Sequence, residues 1–479
     1  MNFVAPALTP ATPEIVLLAL ACVVLIVDVM QKTGSRMLTY TLTQLTLLLT
    51  LVSVFMTRSD KTILTFSDTY IQDQMGFYLK VFILIITMIA MVYSRDYLRQ
   101  RKMERGEYYL LSLFATLGML IMVSAYSLLN IYLGLELLSL SLYAMVAFDR
   151  NSPRSSEAAM KYFVLGAIAS GMLLYGMSIL YGVTGTLNIN EINALLQQGG
   201  DITKAQVFAL VFIVVALAFK LGAVPFHMWV PDVYDGAPTS VTLFIGAAPK
   251  LAAFAMVMRL LVSGMGALHE HWQGMLIILA VLSIGIGNVV AIAQTSIKRM
   301  LAYSTISHVG FIILGILAGT RDGYAASMFY TIIYAFMSLG AFGVILLLSR
   351  EGFEADEISD FAGLGRTHPW IAMILMVLLL SMAGVPPTAG FYAKLVVLKA
   401  VIGVELTWLA VYAVILSVVG AYYYLRVMKV MFFDAADESA DHSLATSTDA
   451  KLILTANGML MLVAGILPGP LLAWCLSSM

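Results

Sequence analysis

Four charged residues lie in stretches of the sequence that are otherwise apolar, and they are the residues best suited to chemistry. Lys220 lies near the end of the apolar run 207–221, and Lys250 lies near the centre of the next apolar run. Lys394 follows a second interruption rich in glycine and proline, and Glu136 lies among leucines. A buried carboxyl group and a buried amine can exchange a proton near neutral pH, because burial disfavours the charged form of each. An intramembrane charge is costly, so these residues predict an ion pathway.

The composition indicates a membrane protein. Of the 479 residues, 61% are hydrophobic and 11% are charged, and the mean hydropathy is +0.92. A soluble protein of this size needs more surface charge to stay dissolved. The formal net charge of -1 gives no argument for binding nucleic acid. The chain is therefore predicted to be an all-α polytopic membrane protein in contact with the lipid bilayer.

Metal and redox cofactors are not expected to bind this chain. Its two cysteines, Cys22 and Cys475, each lie in an apolar segment, and there is no CxxC motif or Cys/His cluster. No phosphate-binding loop, zinc-binding HExxH motif or haem attachment motif is present. Gly285-Ile286-Gly287 lies inside an apolar run with no strand before it, so it predicts close helix packing rather than dinucleotide binding. Redox chemistry is not expected in the chain itself.

Apolar runs of roughly twenty residues, the length at which a helix crosses a bilayer, recur about fourteen times. Spans 7 and 12 are predicted to be broken helices, because glycines and prolines interrupt both of them. The predicted spans, numbered 1 to 14 in chain order, are 14–31, 38–56, 75–94, 108–124, 126–147, 157–182, 203–229, 238–264, 273–293, 300–319, 324–348, 369–403, 406–430 and 451–474.

The basic residues are distributed unevenly between the two sides. Alternate loops, beginning with the loop after span 1, hold sixteen of the 27 Lys and Arg residues, and the opposite loops hold five. Basic loops stay in the cytoplasm, so both termini are predicted to be on the far side of the membrane. Lys80 and Lys399 lie near the ends of spans, where their amines are expected to reach the interface. The remaining six basic residues, all inside predicted spans, are Lys80, Lys161, Lys220, Lys250, Lys394 and Lys399.

An internal similarity suggests a repeat. Residues 222–225 resemble residues 383–386, and each set lies in a span that is predicted to be discontinuous. Spans 7 and 12 are five spans apart, so the two copies run in opposite directions. This arrangement predicts an inverted repeat of spans 4–8 and 9–13. The predicted units are 1–107 with the first three spans, 108–265 and 266–433 with five spans each, and 434–479 with an acidic loop and span 14.

Three further residues are candidates with an open alternative. Lys161 follows Glu157 by four positions, so a structural ion pair explains it about as well as a relay role. His308 is the only histidine well inside a span and ionises near neutral pH, although a lone histidine is often a packing residue. His227 lies in the broken segment, where it either lines the pathway or bonds to freed carbonyl groups. Glu136 also has an alternative reading, as a buried carboxyl bonded to Ser139.

Several of these stretches together resemble a known family. They resemble the N subunit family of the proton-pumping NADH:quinone oxidoreductase (respiratory complex I), which is related to the multisubunit cation/proton antiporters. The resemblance extends from about span 4 to span 13, and PDVYDGAP is similar to the N subunit rather than to its two larger paralogues. The matching stretches are GLELLSLSLYAMVAF, EAAMKYFVLGAIASGMLLYG, FKLGAVPFHMWVPDVYDGAP, SIKRMLAYSTISHVGF and SMAGVPPTAGFYAK.

The resemblance implies fourteen helices with two inverted five-helix units and broken helices 7 and 12. Position by position, it implies that Glu136, Lys220, Lys250 and Lys394 act in proton translocation, and that Lys161 and His308 belong to the same polar axis. It also implies that NADH, FMN, iron–sulfur clusters and quinone belong to the whole complex. The expected partners are other membrane-arm subunits, including the antiporter-like paralogues, in a bacterial inner membrane with both termini in the periplasm.

The function expected from the sequence is therefore proton translocation by a membrane subunit, driven by redox chemistry in other subunits. The alternative is a stand-alone or Mrp-type cation/proton antiporter, which would use the same residues. A second alternative is a transporter of an organic solute, with a substrate site at the broken helices. The spans carry a line of single titratable groups rather than a ligand pocket, which disfavours the solute transporter.

Overall fold

The computed structural model describes residues 6–31, 36–198, 202–435 and 447–479. Within these ranges, thirteen helices are long and apolar enough to cross a membrane, and the shorter apolar helix Pro369–Ala383 begins the remaining span. The predicted all-α polytopic fold is confirmed. The basic residue Lys32 and most of the predicted acidic loop 434–449 lie outside the described residues.

Most helices of the spans begin and end within about four residues of the predicted positions. Span 3 ends at Gln100 rather than at 94, span 7 at Gly236 rather than at 229, and span 14 at Ile466 rather than at 474. Other elements include a hairpin of strands Ile63–Thr65 and Tyr70–Gln72, a surface helix, Ile189–Gln198, and the C-terminal helix Gly469–Ser477. The spans are, in order, Thr12–Met30, Met37–Met56, Gln74–Gln100, Gly106–Ser124, Leu128–Val146, Pro153–Thr184, Lys204–Leu221 with Trp229–Gly236, Thr239–Gly246 with Ala248–Val257 and Met258–Gly264, His269–Ile292, Ile297–Leu317, Arg321–Leu348, Pro369–Ala383 with Ala389–Gly403, Thr407–Phe433, and Thr448–Ile466.

Spans 8, 10 and 11 form the centre of the molecule. In the most apolar window of each, 94% of the residues are buried, whereas the corresponding share is 33% in spans 1, 13 and 14. Close packing of spans 9 and 10 depends on a glycine, because a Cβ on Gly287 would lie 2.7 Å from the backbone nitrogen of Ser307. The packing role predicted for the glycines of span 9 agrees with this contact.

Span 7 is broken, as predicted, and a glycine ends its first half. Gly222 has a φ of +85°, a left-handed conformation that suits a residue without a Cβ. Its N–H donates to the carbonyl of Phe219, and the N–H of Ala223 donates to the carbonyl of Ala218. This hydrogen-bond pattern is the Schellman motif, which satisfies the last carbonyls of a helix. The Leu221 carbonyl remains available at the end of the half-helix.

Span 12 is broken in the same way as span 7. The residues that correspond in the two breaks differ by one position from those that the sequence comparison aligned. Gly384 also has a φ of +85°, and the N–H of Val385 donates to the carbonyl of Leu380 at 3.0 Å. Gly222 is therefore the structural equivalent of Gly384. The predicted alignment of 222–225 with 383–386 is wrong by one residue. It aligned Pro225 with Pro386, whereas the two left-handed glycines are Gly222 and Gly384.

Span 8 has a break that the sequence prediction placed in a continuous helix. Ala247 leaves the helical conformation at φ -115° and ψ -87°, and a new helix begins at Ala248. Pro249 lies in the first turn of that helix, where the missing N–H of proline is tolerated. The span then ends in the π-helix Met258–Gly264, a form that is rare and often lies at functional sites.

Candidate functional site

Lys220 lies in the last turn of the first half of span 7, and its ammonium contacts span 5. Its Nζ donates to Ser139 Oγ at 2.7 Å. It also lies 5.9 Å from the centroid of the Tyr143 ring and 5.9 Å from that of Phe219, so two aromatic faces are near the cation. Ser139 in turn donates to the Leu135 carbonyl of its own helix. The ammonium is thus held by a hydroxyl group and by ring faces.

Glu136 lies on span 5 three residues before Ser139, and it is near Lys220 without bonding to it. Within the described residues, the two side chains form no ion pair, and one carboxylate oxygen of Glu136 is buried without a hydrogen-bond partner. Residues three apart lie on the same face of a helix, so Glu136 is on the face of span 5 that carries Ser139, the partner of Lys220. Ser139, which the sequence offered as a partner of Glu136, bonds to Lys220 instead.

Lys250 lies just after the break of span 8, and its ammonium is directed at the break of span 7. Its Nζ donates to the Leu221 carbonyl at 2.8 Å and lies 5.7 Å from the centroid of the Trp229 ring. A cavity of about 30 Å³ is lined by both Lys220 and Lys250. One water molecule needs roughly 10–15 Å³ of such space. The two lysines are therefore joined by a space that can hold water.

Lys394 lies in the second half of span 12 and repeats both kinds of contact. Its Nζ donates to the Ala383 carbonyl at 2.9 Å and to Ser417 Oγ at 2.6 Å. It also lies 5.1 Å from the centroid of the Phe311 ring. Ala383 precedes Gly384 as Leu221 precedes its own left-handed glycine, so Lys394 and Lys250 bond to equivalent carbonyls. A cavity of about 380 Å³ adjoins the amine, and its lining is mainly apolar.

His308 lies on span 10 within a network of hydroxyl groups. Its Nδ1 is 2.7 Å from the hydroxyl of Tyr330, and its Nε2 is 3.2 Å from that of Tyr424. Its ring also lies 5.0 Å from the ring of Tyr334, whose hydroxyl donates to Thr305 Oγ1 at 2.7 Å. The residues Tyr330 and Phe311 stack, and Phe311 is the ring below Lys394. The histidine region is therefore adjacent to the second broken helix.

Lys161 and His227 lie apart from these contacts. Lys161 forms the predicted ion pair with Glu157 at 2.8 Å and a second one with Asp232, also at 2.8 Å, and its side chain is 43% exposed. His227 lies in the break of span 7. It is buried, and its Nδ1 has no hydrogen-bond partner among the described residues. Among the described residues, no hydrogen bond or ion pair joins Lys161 or His227 to the three central lysines.

Lys80 differs from its prediction. Its side chain does not reach an interface but is buried, and its Nζ lies 2.6 Å from a carboxylate oxygen of Glu14. The hydroxyl of Tyr70 accepts a hydrogen bond from Lys80 at 2.9 Å. The prediction considered only the position of Lys80 near the end of a helix. It was wrong because Glu14 of span 1 lies beside Lys80 in the folded chain. In the sequence, Glu14 lies at the start of the first apolar run, and nothing there marks it as the partner of Lys80.

Arg259 was also missed, because it is one of the five basic residues that were assigned to the opposite loops. It lies in the π-helix of span 8, and its side chain is 3% exposed. Nη1 and Nη2 donate to the two carboxylate oxygens of Asp73 at 2.6 Å and 2.8 Å. Burial alone would raise the pKa of the Asp73 carboxyl, but the Arg259 charge and hydrogen bonds, with the Gly76 N–H, hold that pKa below its ordinary value.

Replacing Arg259 with glutamine is expected to destabilise the chain by about 3–5 kcal/mol, because Asp73 would keep a buried charge without its partner. The temperature at which the chain is lost from its membrane assembly should fall. The double variant Arg259→Gln with Asp73→Asn should recover part of the loss. Asp73 has a lowered pKa when folded, so the ion pair stabilises above the unfolded pKa and is lost as pH falls through the folded value. An Arg259→Gln variant as heat-stable as the unaltered protein would contradict this.

Five of the lysines inside the spans divide into two groups by the charge of their partners. Lys220, Lys250 and Lys394 donate to hydroxyl or carbonyl oxygens. Lys80 and Lys161 bond to carboxylates. Within the described ranges, Lys220, Lys250 and Lys394 form no ion pair. In the same ranges, no group of three or more His, Cys, Asp or Glu side chains could hold a metal ion. The central lysines are thus cations without an anion bonded to them.

Comparisons with known proteins agree on one family. A family model described as "NADH:quinone oxidoreductase/Mrp antiporter, TM" matches residues 125–420. The NADH-quinone oxidoreductase subunit N of Thioalkalivibrio sulfidiphilus is 58% identical over 474 residues, which cover 99% of this chain and 98% of that protein. A chain of respiratory complex I from Thermus thermophilus is 30% identical with a TM-score of 0.83, covering 96% of this chain and 98% of that chain.

The antiporter fold is shared more widely than the sequence. A chain of the Mrp complex from a Dietzia species has a TM-score of 0.82 at 20% identity, covering 98% of this chain and 96% of that chain. At this identity the match shows the fold alone.

Proposed function

Because the chain belongs to the NADH-quinone oxidoreductase subunit N family, we propose that Glu136, Lys220, Lys250, His308 and Lys394 form its proton path. The chain is a membrane subunit of the redox-driven complex, and proton translocation is the function of this subunit. The assignment of these residues to the path rests on the hydrogen-bond partners of the three central lysines. Lys220, Lys250 and Lys394 bond to neutral oxygens, so no ion pair holds their protons in place.

In this proposal the path runs from span 5 to span 12 through the centre of the molecule. Glu136 acts on Lys220 through space, and an adjacent carboxylate favours the charged form of a lysine whereas its neutralisation favours proton release. The cavity between Lys220 and Lys250 supplies room for a bridging water. The hydroxyl groups around His308 continue towards Lys394. Lys394 is then the last titratable group of the chain's path.

Lys161 and His227 are assigned weaker roles. Lys161 forms ion pairs with Glu157 of span 6 and with Asp232 of the second half of span 7. Its proposed role is to hold that second half against span 6. The unpartnered Nδ1 of His227 supports a hydrogen bond to water in that break. The proposed units are 1–107, 108–265, 266–433 and 434–479, with the second and third as inverted repeats. The similar Schellman endings at Gly222 and Gly384 support the repeat.

The remaining expectations concern the surroundings of the chain. We place it in the bacterial inner membrane with both termini in the periplasm, among other membrane-arm subunits that include antiporter-like paralogues. NADH, FMN, iron–sulfur clusters and quinone are assigned to the complex as a whole. A free-standing cation/proton antiporter would share this fold, and what favours the complex subunit is 58% identity over 99% of the chain. Purification in mild detergent tests this, because a monomer that exchanges sodium for protons alone would overturn the assignment.

The control by Glu136 is tested with two substitutions in the assembled complex. Glu136→Gln should lower coupled turnover, measured as proton uptake into inverted membrane vesicles during NADH oxidation. Glu136→Asp should preserve part of that activity, since it keeps an ionisable carboxyl group on the same helix face. Ser141→Ala is a matched control on span 5, because its hydroxyl bonds only within its own helix. Equal uptake by Glu136→Gln and the unaltered protein would remove ionisation at this position from the mechanism.

A further inference from the structure

Two aspartates of the PDVYDGAP stretch are not used by the proposed proton path, and both lie on the second half of span 7. Asp232 and Asp235 are three residues apart, so their side chains lie on one face of this short helix. The helix has a break on each side, because residues 222–228 before it are not α-helical and Ala237 after it is extended. With a break at each end, the helix depends on its side-chain contacts for its position.

Each aspartate bonds to span 6 through its Oδ2 and to the start of span 10 through its Oδ1. Span 6 belongs to the first proposed repeat and span 10 to the second, so the two carboxylates bridge the repeats. The four hydrogen bonds join Asp232 to Lys161 at 2.8 Å and to Arg299 at 3.3 Å, and Asp235 to Arg154 at 2.8 Å and to Ser296 at 3.0 Å.

These contacts form a network rather than separate ion pairs. Arg299 also lies 3.7 Å from Asp235, so this one cation of span 10 is shared by both aspartates. Arg154 likewise lies 3.7 Å from Asp356, in the loop after span 11. The side chains of Asp232 and Asp235 are 31% and 12% exposed. A single ion pair at a surface contributes little, whereas several charges in a network can hold an element in place.

The other end of the same helix contacts the lysine site. Trp229 Nε1 donates to the Phe219 carbonyl at 2.9 Å, in the last turn of the first half of span 7. Its ring stacks on Tyr162 of span 6, with the centroids 4.7 Å apart and the planes at 15°. Trp229 also lines the cavity that Lys220 and Lys250 share. One short helix therefore carries both the bridging aspartates and a wall of the proposed path.

We propose that Asp232 and Asp235 are positioning residues for proton transfer, through which the start of span 10 sets the place of Trp229 beside Lys250. The proposal rests on the proposed function, because Lys250 belongs to its path. Asp232 is three residues from Trp229, about 4.5 Å along a helix that rises about 1.5 Å per residue. A displacement at the carboxylates therefore reaches the Trp229 ring within one helical turn. The first repeat is thereby made sensitive to the position of span 10 in the second.

The first test measures protons taken up per NADH oxidised by the assembled complex in inverted vesicles. Asp232→Asn should lower this ratio by at least about twofold, since a displacement of about 1 Å at a reacting group can cost about a hundredfold in rate. Asp232→Glu keeps the charge and should restore most of the ratio. Asparagine has nearly the shape of aspartate and glutamate is larger, so a role in packing alone would give the opposite order. That opposite order, or an unchanged ratio in Asp232→Asn, would overturn the inference.

The second test removes only the contact with span 10. Arg299→Gln withdraws the shared cation while Lys161 and Arg154 still bond the helix to span 6, and the ratio should fall as in Asp232→Asn. This variant decides alone if Asp232→Asn does not assemble, and an unchanged ratio in it would contradict a role for span 10. Lys102→Gln is the control, because Lys102 forms an exposed ion pair with Glu351 and not with an aspartate of span 7. Its ratio should be unchanged.

A high-resolution map of the Arg299→Gln complex gives a structural measurement of the same effect. Trp229 should move relative to Lys250, whose Nζ lies 5.7 Å from the centroid of its ring in the unaltered chain. The stack with Tyr162 should change at the same time. A lowered ratio with the Trp229 ring unmoved would assign the effect to charge alone and would exclude the positioning role.

Lys250→Ala, measured in parallel, separates this inference from the proposed function. If Lys250→Ala loses uptake while Asp232→Asn and Arg299→Gln keep it, the aspartates have no positioning role and only the inference fails. If Lys250→Ala keeps full uptake in an assembled complex, the proposed path itself is wrong. Loss of uptake in all three, with the Lys102→Gln control unaffected, supports both.

Discussion

Lys220→Ala is expected to lower proton pumping by at least about tenfold, since a positioned proton-transfer group typically contributes more than that. The complex should still assemble. The substitution forfeits the hydrogen bond to Ser139, and a bond to a charged group contributes about 1.5–3 kcal/mol. It also removes a charge whose insertion costs about 2.5–3.5 kcal/mol. The two effects are similar in size and opposite in sign, so activity should fall without a matching loss of stability.

Lys399→Ala is the matched control for this prediction. Lys399 is also a lysine in a predicted span, but its side chain is exposed. Pumping should be measured by fluorescence quenching of a pH-sensitive dye in inverted vesicles, with assembly checked on native gels. A Lys220→Ala complex that assembles and pumps at the unaltered rate would exclude Lys220 from the proton path.

Lys394→Met is expected to cause a loss of at least about tenfold, for a different structural reason. Lys394 combines the hydroxyl bond of Lys220 and the carbonyl bond of Lys250 in one residue. Methionine replaces the apolar part of the lysine side chain with an unbranched chain that ends one atom earlier, and it cannot donate to Ala383 or to Ser417. The cavity of about 380 Å³ beside Lys394 is lined mainly by apolar side chains, so it can accommodate the methyl end of the methionine. Pumping should therefore fall while the fold is retained.

Ser417→Ala separates the two bonds of Lys394. It removes the hydroxyl partner and leaves the bond to the Ala383 carbonyl, so pumping should fall less than in Lys394→Met. The ratio of protons pumped to NADH oxidised is the relevant measurement, because it corrects for differences in expression. A Lys394→Met complex with an unchanged ratio would mean that protons leave the chain before span 12.

The spans were predictable from the sequence because hydrocarbon allows few alternatives. A backbone in lipid must satisfy its own hydrogen bonds, so apolar length alone locates helices. The breaks of spans 7 and 12 were predictable because glycine and proline mark them. The break of span 8 was not predicted, since Pro249 near a helix start and Pro249 inside a helix look alike in sequence. Its position depends on what packs against Gly246, which is information held in spans 7 and 11.

The site was predictable in its charges but not in its contacts. Lys220, Lys250 and Lys394 were visible because a lysine in an apolar run is rare. Their partners were not, because serines such as Ser417 are common in membrane helices and carry no distinguishing pattern. Lys80 shows the limit most clearly, since only the folded arrangement of spans 1 and 3 brings Glu14 to it. Which buried cation has an anion beside it is a property of tertiary structure.

The two carbonyls at the ends of the broken half-helices have a mechanical consequence. Each belongs to the last turn of a half-helix, and each accepts a hydrogen bond from a lysine of another helical segment. Proton loss from Lys250 or Lys394 would weaken that bond, because charged donors bond more strongly than neutral ones. Linkage is reciprocal, so any movement of the half-helix end must also change how tightly the lysine holds its proton. The breaks of spans 7 and 12 are therefore joints at which displacement and proton affinity are coupled.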